Sequence, residues 1–369
     1  MNDKNVFFDE DIPTSSEQEE RTSVTKCPAC GANMVFDSEN GTLYCEHCGS
    51  RREIISKTSE EQDFENLLSA DNSWGEETHV FRCENCGAHE VLDRREIAKA
   101  CSFCGTTNIV ETDELPGIRP NAVVPFRIGK DTAGKNVKHW ARKRLLAPGK
   151  FRKSAKPEEL KGVYTPAFSF DTATESDYVA VLGKYYYRTK RVNGRTVQER
   201  YIRYFTVRGH YSMWFDDVLI QAGGALDQKL LKKLQPFETN QSKEYTTEYL
   251  SGFTASQNTK SGLDCWEEAK QEIQVRLKSA ILSQYVYDIV SSYNVNTQCN
   301  NITYKYILIP LYVGHCNWKT KLYNFFVNGF NGKVTGKAPV SPLKVGALVL
   351  LGIAVIVGIV LLYLNFSGS

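Results

Sequence analysis

Eight of the eleven cysteines form four Cys-x-x-Cys pairs: Cys27/Cys30, Cys45/Cys48, Cys83/Cys86 and Cys101/Cys104. Two such pairs, each on a tight turn, can place four thiolates at the corners of a tetrahedron, the arrangement zinc prefers. The first two pairs and the last two share the pattern C-x2-C-x14-C-x2-C, the second unit lying 56 positions after the first. Glycine follows every pair, at Gly31, Gly49, Gly87 and Gly105, where a knuckle that closes around a metal often needs positive φ. The spacing predicts two structural zinc ions, one per ribbon. No histidine or carboxylate replaces a cysteine, so each coordination sphere is closed and offers no position for an activated water. Each short unit has few apolar side chains, and metal binding would supply its folding free energy. A redox-dithiol reading lacks the βαβ context and leaves the equal spacing of the paired motifs unexplained.

Other chemistry is sparse. Cys265, Cys299 and Cys316 are isolated and are expected to be buried and structural. Cys316 follows His315, but neighbours in a strand point to opposite faces and do not make a nucleophile and its base. His47 and His89 flank ligands without replacing them and are expected to be solvated. Residues 129–136, GKDTAGKN, approach the phosphate-binding pattern G-x-x-x-x-G-K-[ST]. Asn136 stands where a hydroxyl should ligate magnesium, and the later chain lacks the alternating strands and helices of a nucleotide hydrolase. There is no Ser/His/Asp set, G-x-S-x-G elbow or supported carboxylate pair, so no enzyme is expected, although a site assembled only by folding stays open.

Of 369 residues, 24% are charged and 11% aromatic, which excludes wholesale disorder, collagen and coiled coil. A net charge of +2 argues against a generally basic nucleic-acid coat protein. The ribbons are acidic or mixed: Asp37, Glu39 and Glu46 in the first meet no Lys or Arg between its outer cysteines. Such surfaces favour protein docking over phosphate contact. The strongest asymmetry is 135–156, with nine Lys or Arg and no acid. Lys138, Arg142, Lys143, Arg144, Lys150, Arg152 and Lys153, interleaved with Trp140, form a candidate anionic-surface site. Its partner is anionic lipid or nucleic acid, or else it is a solvated helix whose Val137, Trp140, Ala141 and Leu145 pack inward. A second basic and aromatic run covers 184–210, with Glu199 its only acid, and fits solvated hairpin faces equally well.

These groups must be positioned by an α+β protein with an antiparallel sheet. Residues 1–25 are expected to be a disordered acidic arm, 26–52 and 78–112 the zinc ribbons, 53–77 a linker, and 113–340 a mixed α+β cytosolic domain. Within that domain, 163–170 and 178–187 read as strands, with an Asn193-Gly194 hairpin turn beyond them. A helix is clearest from Asp264, with Trp266, Ala269, Ile273, Leu277 and Ala280 at spacings of three and four; Asp264 and Glu267 fit a capping box. Strand character returns over 302–313 and 322–334. Residues 341–369 form a membrane tail anchor: 345–364 contains no charge and is long enough to cross a bilayer. Lys333, Lys337 and Lys344 precede it and no base follows, which places the N-terminal bulk in the cytoplasm. No basic start and apolar run mark a secretory signal, and the cysteines fit a reducing compartment.

Several motifs occur together in order. They are the Cys-x-x-Cys-Gly knuckles, Ile118-Arg119-Pro120 before Val124-Pro125-Phe126, Trp140 with Ala147-Pro148, and Gly162-Val163-Tyr164-Thr165-Pro166. Val327-Asn328-Gly329 with Gly332, then Gly336 before Pro339 and the apolar segment, complete the set. The chain resembles bacterial TFIIB-type zinc-ribbon single-pass membrane proteins, often labelled as primosomal replication-restart helicases. The resemblance implies the eight cysteines as metal ligands. It also implies an adaptor at the cell membrane, acting beside flotillin-like SPFH proteins in envelope maintenance. Zinc-ribbon nucleic-acid binding without a motor is the alternative.

Overall fold

In the computed structural model, residues 25–68, 78–85, 88–93, 101–103, 106, 109–112, 119–154, 160–192, 195–224, 226–318 and 321–367 are described. Apart from Thr25, the expected acidic arm lies outside them. The first described unit is a three-stranded antiparallel sheet of β1 (Met34–Asp37), β2 (Thr42–Cys45) and β3 (Arg51–Glu53). Strand alternation buries Met34 and Phe36 from β1 and Leu43 and Cys45 from β2, the period-two pattern of a sheet with one covered face.

The segment expected to be a linker is folded as far as residue 68. It contains β4 (Gln62–Asp63) and α1 (Phe64–Leu68), β4 pairs with a later strand, and Thr58 bridges Lys243. Its polar residues have tertiary partners: the Ser59 and Ser242 hydroxyls lie 2.6 Å apart, and Thr303 donates to Glu61 at 2.7 Å. Leu67 is buried. A hydrophilic composition therefore marked a strap across the surface of the domain. Residues 69–77 lie outside the described residues. In the second cysteine unit, β5 (Thr78–Cys83) pairs with both β6 (His89–Asp93) and β7 (Ile109–Thr112).

After β8 (Ala122–Val123), α2 (Lys130–Arg142) and α3 (Gly149–Ser154), the chain enters β9 (Lys161–Val192) and β10 (Arg195–Gln221). The two stretches read as separate strands belong to this one 32-residue β9. Its ladder with β10 closes at Val192 and Arg195, so the hairpin connection is residues 193–194, which are outside the described set. Next come α4 (Gln228–Leu234), β11 (Lys243–Glu244), β12 (Thr254–Ser256), α5 (Gly262–Leu282), β13 (Ile289–Trp318), β14 (Lys321–Asn328), β15 (Val334–Gly336) and α6 (Pro342–Ser367). The large sheet runs β11-β8-β13-β9-β12-β6-β5-β7, with β10 on β9, β4 and β14 on β13, and β15 on β14. Most of its pairs are antiparallel; β8 with β13 and β12 with β9 are parallel. This is a mixed α+β fold with a large, mainly antiparallel sheet.

Along β9 the even positions from Thr172 to Leu182 are buried, while Glu175, Asp177 and Val179 face outward. Helix α5 covers part of the inner face with Trp266, Ala269, Ile273 and Leu277, set against Phe168, Phe170 and Phe215. Ser261 caps it: the Asp264 amide donates to the Ser261 hydroxyl and the Ser261 amide to the Asp264 carboxylate. The expected box at Asp264 and Glu267 is thus shifted by one turn, because the serine hydroxyl starts the helix earlier and leaves Asp264 at its third position. Glu267 instead pairs with Lys270 at 2.6 Å.

The β14–β15 turn explains the Asn-Gly residues that precede α6. The fully buried Asn328 side chain donates to the carbonyls of Leu234 (3.0 Å) and Pro236 (2.9 Å) and accepts from the amides of Phe330 and Asn331. A Cβ on Gly329 would lie 2.3 Å from the Phe126 ring, and Gly332 has φ of +76°. Asn328→Ala removes four hydrogen bonds at once and leaves the Pro236 carbonyl only its bond from the Asn331 side chain. We expect it to lower the unfolding free energy of the detergent-solubilised chain by about 2–3 kcal/mol, measured by denaturant titration.

Candidate metal centre

Cys27 and Cys30 precede β1, Cys45 ends β2, and Cys48 sits in the turn before β3. The Cys27 amide donates to the Ala32 carbonyl at 2.8 Å and the Cys45 amide to the Ser50 carbonyl at 2.9 Å. The Gly31 and Gly49 amides return to the Cys27 and Cys45 carbonyls. Both glycines adopt positive φ, +73° and +77°, which a β-carbon would strain. The turns aim four sulfurs at one point: Cys27 and Cys48 are 3.5 Å apart, Cys30 and Cys45 3.6 Å, and all four lie within 4.8 Å of one another. A tetrahedron with Zn–S bonds of about 2.3 Å has edges of about 3.8 Å. One four-cysteine cluster able to hold a metal ion such as zinc is therefore in place, with Cys27 and Cys45 buried and Cys30 and Cys48 exposed. The Ser50 hydroxyl, 3.1 Å from the Cys48 sulfur, and the Ser50 amide pull the Cys48 thiol down to about 6, favouring the thiolate a metal needs.

The second unit repeats the local geometry where it is described. The Cys83 amide donates to the Ala88 carbonyl and the Cys101 amide to the Thr106 carbonyl, each at 2.8 Å, and both cysteines are buried. Cys86 and Cys104 lie outside the described residues.

Neither unit stands apart from the domain. Met34, Phe36, Leu43 and two ligands share a hydrophobic cluster with Phe126, Val137, Trp140 and Phe325. The Phe36 amide donates to the Ser251 carbonyl at 2.9 Å, and Arg52 forms an ion pair with Glu248. In the second unit β6 pairs with β12, and Cys83, Cys101 and Phe103 pack with Leu226 and Phe237. This integration also disposes of the phosphate-loop resemblance. A Cβ on Gly129 would meet the Glu39 carboxylate at 2.6 Å, and Asn136 donates to the Gly332 carbonyl. A carboxylate from the first unit lies against the loop, and the side chain at the hydroxyl position serves a turn.

The basic segment divides by burial. Lys138, Arg142, Lys143, Arg144 and Lys150 are exposed and Arg152 is half-buried, while the Lys153 side chain lies outside the described set. Trp140 is buried and is corrected as a surface group: its ring packs 6.4 Å from Phe325 and carries the Arg144 guanidinium at 4.8 Å. Val137 and Ala141 face inward as the solvated-helix reading requires, but Leu145, just past the helix end, is exposed. The α2–α3 turn meets the start of α6, where the Lys344 ammonium donates to the carbonyls of Leu145 and Ala147. Helix α6 is long and apolar enough to cross a membrane over Pro342–Leu361, and none of that stretch is buried.

Cys265 and Cys316 are buried and Cys299 half-buried; burial pushes the Cys265 thiol up to about 12. None has the exposed, electropositive setting of a nucleophile. A polar centre invisible in the sequence joins Glu61, Asp171, Asp217 and Lys305. Lys305 donates to Glu61 at 3.2 Å, the Asp217 amide to Asp171 at 2.7 Å, and the Ser169 hydroxyl to Asp217 at 2.8 Å. Asp217 has φ of +53° at the irregularity between Phe215 and Val218. Burial, then the Glu61 and Asp217 carboxylates, push Asp171 up to about 7. Burial opposes the Glu61 charge, but hydrogen bonds from Thr303, Asp171 and Lys305 outweigh it and hold Glu61 below the usual range.

No protein-family model matches the chain. It is similar to the uncharacterized protein YdjG of Bacillus subtilis (strain 168), a distant homologue 29% identical over 324 residues, covering 87% of this chain and 92% of YdjG. No solved structure matches.

Two measurements test these centres. Cys30→Ser with Cys48→Ser changes only exposed ligands; it should remove one equivalent of zinc by elemental analysis and raise amide exchange across 26–52 before the rest of the chain opens. Asp171 has a folded-state value above its unfolded one, so its contribution to stability is complete below about pH 3.9 and is lost as pH rises through about 7. The thermal midpoint should accordingly fall as pH rises from about 4 to about 7 and level off above that, and Asp171→Asn should flatten that fall.

Proposed function

We propose that this protein is a non-enzymatic, membrane-anchored adaptor of the TFIIB-type zinc-ribbon kind. Its bulk lies on the cytoplasmic face and two structural zinc ions hold its N-terminal units. The observation that carries this reading is the closed four-thiolate cluster, set into the core of a chain that ends in a fully exposed apolar helix. A closed thiolate site contributes folding energy and leaves no coordination position for chemistry. The repeated amide closures at Cys83 and Cys101 support a second ion completed by Cys86 and Cys104.

Because the ribbons bury one side against the domain, a partner must use what remains exposed. The most prominent such surface is the β9–β10 arm. The β13 ladder ends at the Ile289–Gly183 pair, and from residue 184 the hairpin continues as two strands alone, about 30 Å long at about 3.3 Å per residue. Arg188, Arg200 and Arg203 lie over the rings of Tyr201, Tyr185 and Tyr186 at 5.7, 4.4 and 5.7 Å. Arginine and tyrosine are the residues most often found at the centre of protein interfaces. A membrane-bound assembly protein of the SPFH/flotillin kind fits as partner.

The same arm favours a second reading, nucleic-acid binding, since a two-stranded ribbon fits a major groove and arginine pairs with phosphate. Combining Arg188→Gln, Arg200→Gln and Arg203→Gln separates the two readings. The adaptor reading expects the full-length variant to lose specific proteins that co-purify with the native chain from detergent extract, with no nucleic-acid affinity in either. An unchanged set of proteins rejects docking through the arm. Salt-dependent duplex binding by the native chain, lost in the variant, would move the assignment to nucleic acid.

A further inference from the structure

Where the chain enters its apolar helix, it is tied to the turn between α2 and α3. The Ser341 amide donates to the Leu146 carbonyl at 2.9 Å, and the Lys344 ammonium donates to the carbonyls of Leu145 (2.9 Å) and Ala147 (2.8 Å). These bonds join residues almost two hundred positions apart and hold the turn level with the first turn of α6. At that level Leu145 is 72% exposed, and Leu146, Val340 and Leu343 are exposed beside it. A shallow cleft lies between them, bounded by Lys143, Arg144 and Leu146 on one side and by Pro339 and Val340 on the other. A contiguous apolar patch of this kind needs a cover. Its rim is purely basic. Lys143, Arg144 and Lys150 are exposed, no acid occurs between Asp131 and Glu158, and among the described residues none of the three has an ion-pair partner.

We propose that the α2–α3 turn is a second membrane-contact element, binding the anionic phospholipid surface around α6. Leu145, Leu146 and Val340 enter the boundary between headgroups and acyl chains, and Lys143, Arg144 and Lys150 bind lipid phosphates. Two features identify lipid as the occupant. The patch is continuous with the segment that crosses the bilayer, and its charge is opposite to that of an anionic leaflet. The Lys344 bonds and the seat of Arg144 on Trp140 hold the turn in place beforehand, so little order is lost on contact. The domain would therefore be held at one orientation on the membrane, and lipid charge would tune that hold. The inference rests on α6 being a membrane span.

The test uses the full chain in vesicles of phosphatidylcholine alone or with one third phosphatidylglycerol, reading amide hydrogen exchange over residues 142–149. Exchange should slow by at least about fivefold in the anionic vesicles, the factor that one surface charge contributes. Lys143→Gln with Arg144→Gln and Lys150→Gln should abolish the dependence on phosphatidylglycerol, and Leu145→Glu with Leu146→Glu should abolish protection in both vesicles. Equal exchange in both vesicles, or a lipid dependence that survives the glutamine variant, overturns the proposal. So does protection that grows with protein concentration in detergent, which would assign the patch to a second copy, or protection conferred by duplex DNA on neutral vesicles. Alkaline carbonate extraction of the same vesicles keeps the two readings apart. Release of the chain means that α6 does not span; retention without lipid-dependent protection rejects only this proposal.

Discussion

The antiparallel ladder between β9 and β13 organises the rest of the protein. It runs from the Lys161–Val313 pair to the Gly183–Ile289 pair, and every other part of the large sheet is built outward from these two strands. The stretch of β13 from Tyr304 to Val313, in its second half, is buried throughout, with Ile307, Leu308, Ile309, Leu311 and Val313 fully so. A strand covered on both faces can hold its register firmly, because a slip by one residue would exchange every packed side chain with its neighbour. That register brings β8 beside Ile307, β4 beside Thr303 and β14 beside Leu311.

The two cysteine units depend on this frame as much as on their own turns. A ribbon with so little apolar surface could have been a bead on a string, stable only through its ion. Here its apolar side chains complete the domain core, and the strap that follows it is threaded across the sheet by Ser59, Glu61 and Leu67. The knuckles and the core are therefore packed as one: Cys27 and Cys45 share a cluster with Phe126 and Trp140, so an ion held by the four sulfurs would be coupled to that packing.

At the other end, the apolar helix is joined to the domain by hydrogen bonds from Ser341 and Lys344 to a turn carrying exposed leucines and basic side chains. A tether made only of flexible chain would let the domain swing freely. These bonds instead set one side of the domain against the place where the helix begins, while the β9–β10 arm extends from the opposite end of β9.

The sequence by itself determined what depends on neighbours a few residues away. The knuckle spacing with Gly31 and Gly49, the uncharged run inside α6 and the helical period of Trp266, Ala269, Ile273 and Leu277 are all legible because short-range geometry dictates them. The tertiary structure decided what depends on register and burial. It put Trp140 under Arg144 rather than on the surface, made 53–68 a strap, moved the cap of α5 to Ser261, and joined Asp171 to Glu61 and Lys344 to Leu145. The physical reason is one of range. A thiolate pair or a helix face is set by local covalent geometry, whereas which distant groups meet follows from how β9, β13 and their neighbours align, and no local pattern encodes that alignment.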